Sequence, residues 1–155
     1  MTLPAPIRVL LVDDSPFVRR AFQRVLRGAA GVSVVGEASD GNEALAACKT
    51  LSPHVVVLDI SMPVLDGIET LRRLRAQAPN IAVVVVSGAV QPGAEATLTA
   101  IELGAVDFID KTSVSAMRLH ELASELLIKI RGAAAVGAAG STVRVVAAPH
   151  AVELP

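Results

Sequence analysis

Residues 7–28 read IRVLLVDDSPFVRRAFQRVLRG. The stretch Ile7–Val12 is apolar except for Arg8, and an apolar run of this length suits a strand covered on both faces, as in a parallel sheet. Two aspartates, Asp13 and Asp14, end it. Ser15-Pro16 then fits a helix N-cap followed by proline at the first helical position. Val18, Ala21, Phe22, Val25 and Leu26 recur at the spacing of one helical face. The stretch is a strand, a polar turn and an amphipathic helix.

The same unit repeats outward from it. Further strands are expected at Val32–Gly36, Val55–Leu58, Ile81–Val86 and Val106–Ile109. Asp40 and Glu43 form a capping-box pattern before a helix carrying Ala44, Leu45 and Cys48. Leu65, Ile68, Leu71 and Leu74 line a third helix. Thr97–Leu103 belong to a fourth, with Gly104 as its stop. Leu119, Leu122, Leu126 and Ile130 line a fifth, expected to end near Gly132. Strand and helix alternate five times, which predicts an α/β fold with a doubly wound parallel sheet and helices on both faces. Residues 7–131 form one domain on this reading, and the Ala-rich residues 132–155 are a linker or tail.

Composition narrows the function. The chain has 155 residues, 52% of them apolar and 2% aromatic, so the core is aliphatic. A net charge of -1 argues against direct binding to nucleic acid or an anionic membrane. The longest apolar runs, such as IAVVVV at 81–86, are far shorter than the ~20 residues of a spanning helix. The start, MTLPAPIRVLLVDD, lacks the pattern of a secretory signal. Cys48 is the sole cysteine and fits a small buried apolar residue. A cytoplasmic location is the expectation.

In an open parallel sheet, ligand chemistry gathers at the carboxyl ends of the strands. Asp13 and Asp14 end the first strand, Asp59 the third and Ser87 the fourth, and Lys111 lies just past the fifth. Polar residues commonly mark strand ends, which explains any one of these. It explains poorly three carboxylates on two adjacent strands beside a lysine and a hydroxyl. Such carboxylates repel one another, and a hard divalent cation with oxygen ligands resolves the repulsion. With no His or Cys nearby, Mg2+ suits the set better than Zn2+. A carboxylate beside Mg2+ and a lysine can act as a nucleophile toward phosphorus.

VLLVDDS at 9–15, VVVLDISMPVLDG at 55–67, VVVVSGA at 83–89 and GAVDFIDK at 104–111 together resemble the bacterial response-regulator receiver family. The resemblance implies a flavodoxin-like (CheY-like) sheet of order 2-1-3-4-5. It implies Asp59 as phosphoacceptor, Asp14 as a direct Mg2+ ligand, Asp13 acting through water and the backbone carbonyl of Ser61 as a further ligand. Ser87 corresponds to the switch hydroxyl, Lys111 to the phosphate-binding lysine and Phe108 to the switch aromatic. Pro63 and Gly67 shape the loop after Asp59. The chain departs from the family's pattern at Thr112, where proline usually follows the lysine, and this bears on how Lys111 is held. The implied donor is a sensor histidine kinase, and the implied output is the face of the fourth helix, fifth strand and fifth helix.

Within the family, GAEATLTAIELGAVDFIDK at 93–111, IRVLLVDDS and ELLIKIRGAA are similar to the receiver half of the chemotaxis methylesterase (CheB type). That branch implies a chemotaxis kinase as donor and a separate catalytic domain, for which this chain carries no nucleophile motif. A free-standing receiver is the alternative. An Asp-nucleophile phosphatase of the haloacid dehalogenase type needs an Asp-x-Asp motif on the first strand, where this chain has an adjacent pair. A flavodoxin-like nucleotide or flavin binder needs a phosphate cradle where Asp13-Asp14-Ser15 stand. Without the motif, Phe108 reads as core packing. Asp66 reads as a helix cap or solvated group, Asp107 and Asp110 as exposed residues, and His54, His120 and His150 as surface residues.

Overall fold

A computed structural model describes residues 5–60, 66–87, 92–110 and 119–139. The strands are β1 (Ile7–Val12), β2 (Val32–Ala38), β3 (Val55–Asp59), β4 (Ala82–Ser87) and β5 (Asp107–Asp110). The helices are α1 (Pro16–Arg27), α2 (Gly41–Leu51), α3 (Gly67–Gln77), α4 (Pro92–Glu102) and α5 (Leu119–Ala139). The five strands form one sheet in the order β2-β1-β3-β4-β5, and every pairing is parallel. This is the expected sheet order. All five strands therefore end at one edge.

The pleat explains how one sheet builds two cores. Val9 and Leu11 of β1 join Val55 and Val57 of β3, Val18, Phe22 and Leu26 of α1, and Leu126 and Ile130 of α5. Leu10 and Val12 face the other way, with Val56 and Leu58, Cys48 of α2, Leu71 and Leu74 of α3, and Ala100 of α4. Every residue of β3 is buried, including Asp59. Burying a Val or Leu side chain contributes roughly 1.5–3 kcal/mol, so β3 anchors the fold and holds its last residue in place.

The helix starts are set by side-chain caps. Val18 N donates to Ser15 Oγ at 3.3 Å, Glu43 N to Asp40 Oδ1 at 2.9 Å and Glu69 N to Asp66 Oδ1 at 2.8 Å. Asp66 is thus a cap, and the carboxylate of Glu43 completes its box by accepting from Ser39 N at 2.8 Å. Gly104, at φ +110, lies just past α4 as the stop signal suggested.

Several boundaries differ from expectation, among them the end of β2 at Ala38 instead of Gly36. The fourth helix spans Pro92–Glu102, so Thr97–Glu102 belong to it as expected and Leu103 lies just past its end. The fifth does not end near Gly132 but runs on to Ala139. A glycine inside a helix costs about 1 kcal/mol relative to alanine. Packing beyond it outweighs that cost: Ala133 is fully buried, and Ala134 and Val136 pack against the same core. At Gly137 an added Cβ would lie 3.0 Å from the carbonyl oxygen of Asn80, so the small residue lets α5 press against the entry to β4.

Candidate functional site

β1 delivers Asp13 and Asp14 to the sheet edge, and β3 delivers Asp59. One carboxylate oxygen from each lies within 4.8 Å of the others. Asp13 is 2% exposed and Asp59 is fully buried, while Asp14 is exposed. The cluster thus joins two buried acids to one exposed acid. Two ionised carboxylates at that separation repel by about 3–4 kcal/mol at an effective dielectric of about 20. A cation bound among the three would relieve that repulsion. The donors are all oxygen, and neither His nor Cys belongs to the cluster. That donor chemistry fits a hard divalent cation such as Mg2+.

Asp13 is held from several sides. Its N–H donates to Ala38 O at 3.1 Å, which ties it to β2. Its Oδ1 accepts from Ser15 N at 2.8 Å. Its carbonyl oxygen accepts a short hydrogen bond from Arg19 Nη1. Arg19 Nε bonds Glu37 Oε1 at 2.8 Å, and Gln23 Nε2 bonds Glu37 Oε2 at 2.8 Å. The Gln23 amide, with the Arg19 guanidinium, holds the Glu37 carboxyl below its ordinary 4.5. Sequence reasoning missed this clamp. Its signal was Arg19 one turn after the Ser15 cap, on the same helix side, with Glu37 at the end of a strand beside β1.

Behind Asp59 the backbone is crowded. Ile60 N donates to Val86 O at 3.1 Å. An added Cβ at Gly67 would lie 2.2 Å from Ile60 Cα and 2.4 Å from the carbonyl oxygen of Asp59. Only glycine lets the start of α3 press against the strand end this closely.

Phe108 sits on β5 with 44% of its surface exposed, so it is not a plain core residue. Lys129 of α5 donates to its carbonyl oxygen at 2.5 Å, stands 5.1 Å from its ring centroid and bonds Glu125 at 2.9 Å. Asp107 is half-buried and lies 3.7 Å from Lys129, whereas Asp110 is exposed. Ser87 ends β4 with its backbone opposite Asp110. The expectations for the Ser87 hydroxyl, Ser61, Pro63, Lys111 and Thr112 lie outside the described residues. His54 is exposed, and its Nδ1 accepts from Arg8 N at 2.9 Å. Among the described residues no helix is long and apolar enough to cross a membrane.

Comparison with known proteins agrees with this geometry. A protein-glutamate methylesterase/protein-glutamine glutaminase of Myxococcus xanthus is 47% identical over 135 residues, covering 86% of this chain and 38% of that protein. A relative of the same description from Pyrococcus abyssi is 42% identical, covering 84% of this chain and 35% of its own length. The chain thus spans well under half the length of these curated relatives. The crystal structure of the response regulator domain of Thermotoga maritima CheB superimposes with a TM-score of 0.77 at 42% identity, covering 84% of this chain and 98% of that one. The chemotaxis protein CheY4 of Vibrio cholerae gives a TM-score of 0.66 at 27% identity, covering 80% and 98%. The family profile for the response regulator receiver domain matches residues 9–124. With sheet order, acidic edge and sequence in agreement, the chain belongs to the response regulator receiver domain family and is similar to the response regulator domain of a CheB protein.

Proposed function

We propose that this chain is a Mg2+-dependent phosphorylation switch in which Asp59 takes the phosphoryl group from a phosphohistidine of a sensor kinase. The observation that carries the reading is the buried Asp59 carboxylate at the end of β3, within 4.8 Å of Asp13 and Asp14. The Asp59 oxygen attacks phosphorus and the bond from phosphorus to the donor imidazole breaks. Asp14 would hold Mg2+ directly, Asp13 through water, and Ser61 through its backbone carbonyl. Bound Mg2+ supplies charge neutralisation on the transferring oxygens. Lys111 pairs with the phosphoryl group and the Ser87 hydroxyl donates to it. Phe108 then turns inward, which shifts the population of the output surface.

The effector meets the face of α4, β5 and α5. Each of these elements carries a large exposed apolar side chain, Leu98 at 65%, Phe108 at 44% and Ile128 at 69%, which supports the choice of face. Similarity to methylesterase relatives supports a chemotaxis kinase as donor and a methylesterase domain as effector, in the cytoplasm. Residues 7–131 are the switch unit, and 132–155 are the connection, whose first turns continue α5.

Incubation with Mg2+ and acetyl phosphate, followed by mass spectrometry, tests the assignment. One phosphoryl adduct is expected on the wild-type chain and none on Asp59→Asn. Labelling that survives this substitution unchanged refutes Asp59 as acceptor. Repeated turnover of small phosphate esters, rather than stoichiometric labelling, points to a phosphatase instead.

A further inference from the structure

Arg19 reaches from α1 to the end of β1. Its side chain is 17% exposed, so its contacts are fixed rather than solvated. It donates to the Asp13 carbonyl oxygen and pairs with Glu37, which Gln23 holds from the other side. The Asp13 carbonyl belongs to the rigid peptide plane that runs on through the Asp14 nitrogen to the Asp14 Cα. Asp13 is already tethered through its N–H and its Oδ1. Pinning the carbonyl as well stops that plane from turning, and the plane fixes the Asp14 Cα from which the side chain leaves the backbone. Asp14 is the exposed acid of the cluster, the member with least packing to orient it.

We propose that Arg19 is a positioning residue for divalent-cation binding, orienting Asp14 through the Asp13 carbonyl while Glu37 and Gln23 hold the guanidinium in place. The inference rests on the reading that Asp13, Asp14 and Asp59 hold the cation. Two effects of Arg19 compete. Its positive charge near the cluster disfavours a second cation. Its hydrogen bond orders a ligand in advance, which favours one. Glu37 at 2.8 Å offsets much of the charge, so ordering dominates. Lysine cannot replace it, because one ammonium lacks the planar fork that serves both acceptors at once.

The test is calorimetric titration of Mg2+ into the full chain, wild type against Arg19→Met and Arg19→Lys. Positioning predicts Mg2+ affinity weakened by about tenfold in Arg19→Met, as for other residues that hold a metal ligand from behind. It predicts a several-fold loss in Arg19→Lys, although the charge is kept. The Mg2+ concentration giving half-maximal labelling by acetyl phosphate rises by a larger factor than the plateau rate falls. A residue that merely stabilises the fold would lower the melting temperature without that split. Gln23→Met alters no charge and loosens Glu37, so it gives a smaller loss in the same direction and serves if the Arg19 variants do not fold. Unchanged affinity in the folded variants, or tighter binding in Arg19→Met, overturns the proposal while wild-type binding stands. A wild-type chain that binds no Mg2+ overturns the cation reading itself, and this inference with it.

Discussion

The two ends of the sheet face opposite demands. At the carboxyl end, Asp13, Asp14 and Asp59 crowd three like charges within 4.8 Å. At the amino end, the approaches to β3 and β4 border a cleft of about 700 Å³ lined by Cys48, Pro53, Leu74, Ile81, Ala134 and Gly137. Burial there pushes the Cys48 thiol up to about 11, so it stays a neutral apolar filler. One end gathers like charges whose repulsion a ligand can relieve, and the other borders a largely uncharged cleft. Parallel strands make this division possible, because every strand begins at one end and finishes at the other.

The largest effect expected at the charged end is complete loss of acyl-phosphate labelling in Asp59→Asn, read by mass spectrometry. At the packed end, Leu74→Ala should cost about 3 kcal/mol in urea unfolding, while the folded fraction still labels. If labelling disappears from folded Leu74→Ala, the two ends are not separable. Gly67→Ala strikes the backbone behind Asp59 and should cost about 2 kcal/mol while slowing labelling, unlike a change at the far end. Mg2+ at ten times its dissociation constant should raise stability by about 1.4 kcal/mol, with chelation reversing the gain and Asp13→Asn reducing it. A Mg2+ response unaltered by Asp13→Asn would move the cation elsewhere.

The smallest effect comes from Glu37, whose folded value lies below the ordinary 4.5, chiefly through Gln23 and then Arg19. A carboxyl lowered on folding contributes stability above its unfolded value and loses it as pH falls through its folded one. The stability difference between wild type and Glu37→Gln should therefore hold at neutral pH and shrink below about pH 4.5. A difference that grows on acidification would contradict the clamp.

Much of this division could be read before any coordinates. Apolar runs ending in aspartate located β1 at Ile7–Val12 and placed β3 within one residue, because both strands are covered on two faces and carry little else. β4 and β5 were each placed one residue early, where a side chain at the strand end decides the last pairing. Ser15 and Asp40 signalled their helices because capping is local, whereas the sequence left Asp66 open between cap and solvated group. Gly132 misled, since its local preference to stop a helix lost to the packing of Ala133 and Val136. Phe108 could not be assigned from composition, because its half-exposed position and its contact with Lys129, 21 residues away, arise only in the folded chain.

The sequence by itself determined the alternation of strand and helix, and with it the edge at which the acids gather, because periodicity and chain direction are written residue by residue. The tertiary structure decided what distance decides: how near three carboxylates come, how closely α3 approaches Asp59 at Gly67, and which guanidinium grips the Asp13 carbonyl. Those depend on elements far apart in the chain meeting at fixed separations, and electrostatic and steric energies change over a few ångströms that no local pattern encodes.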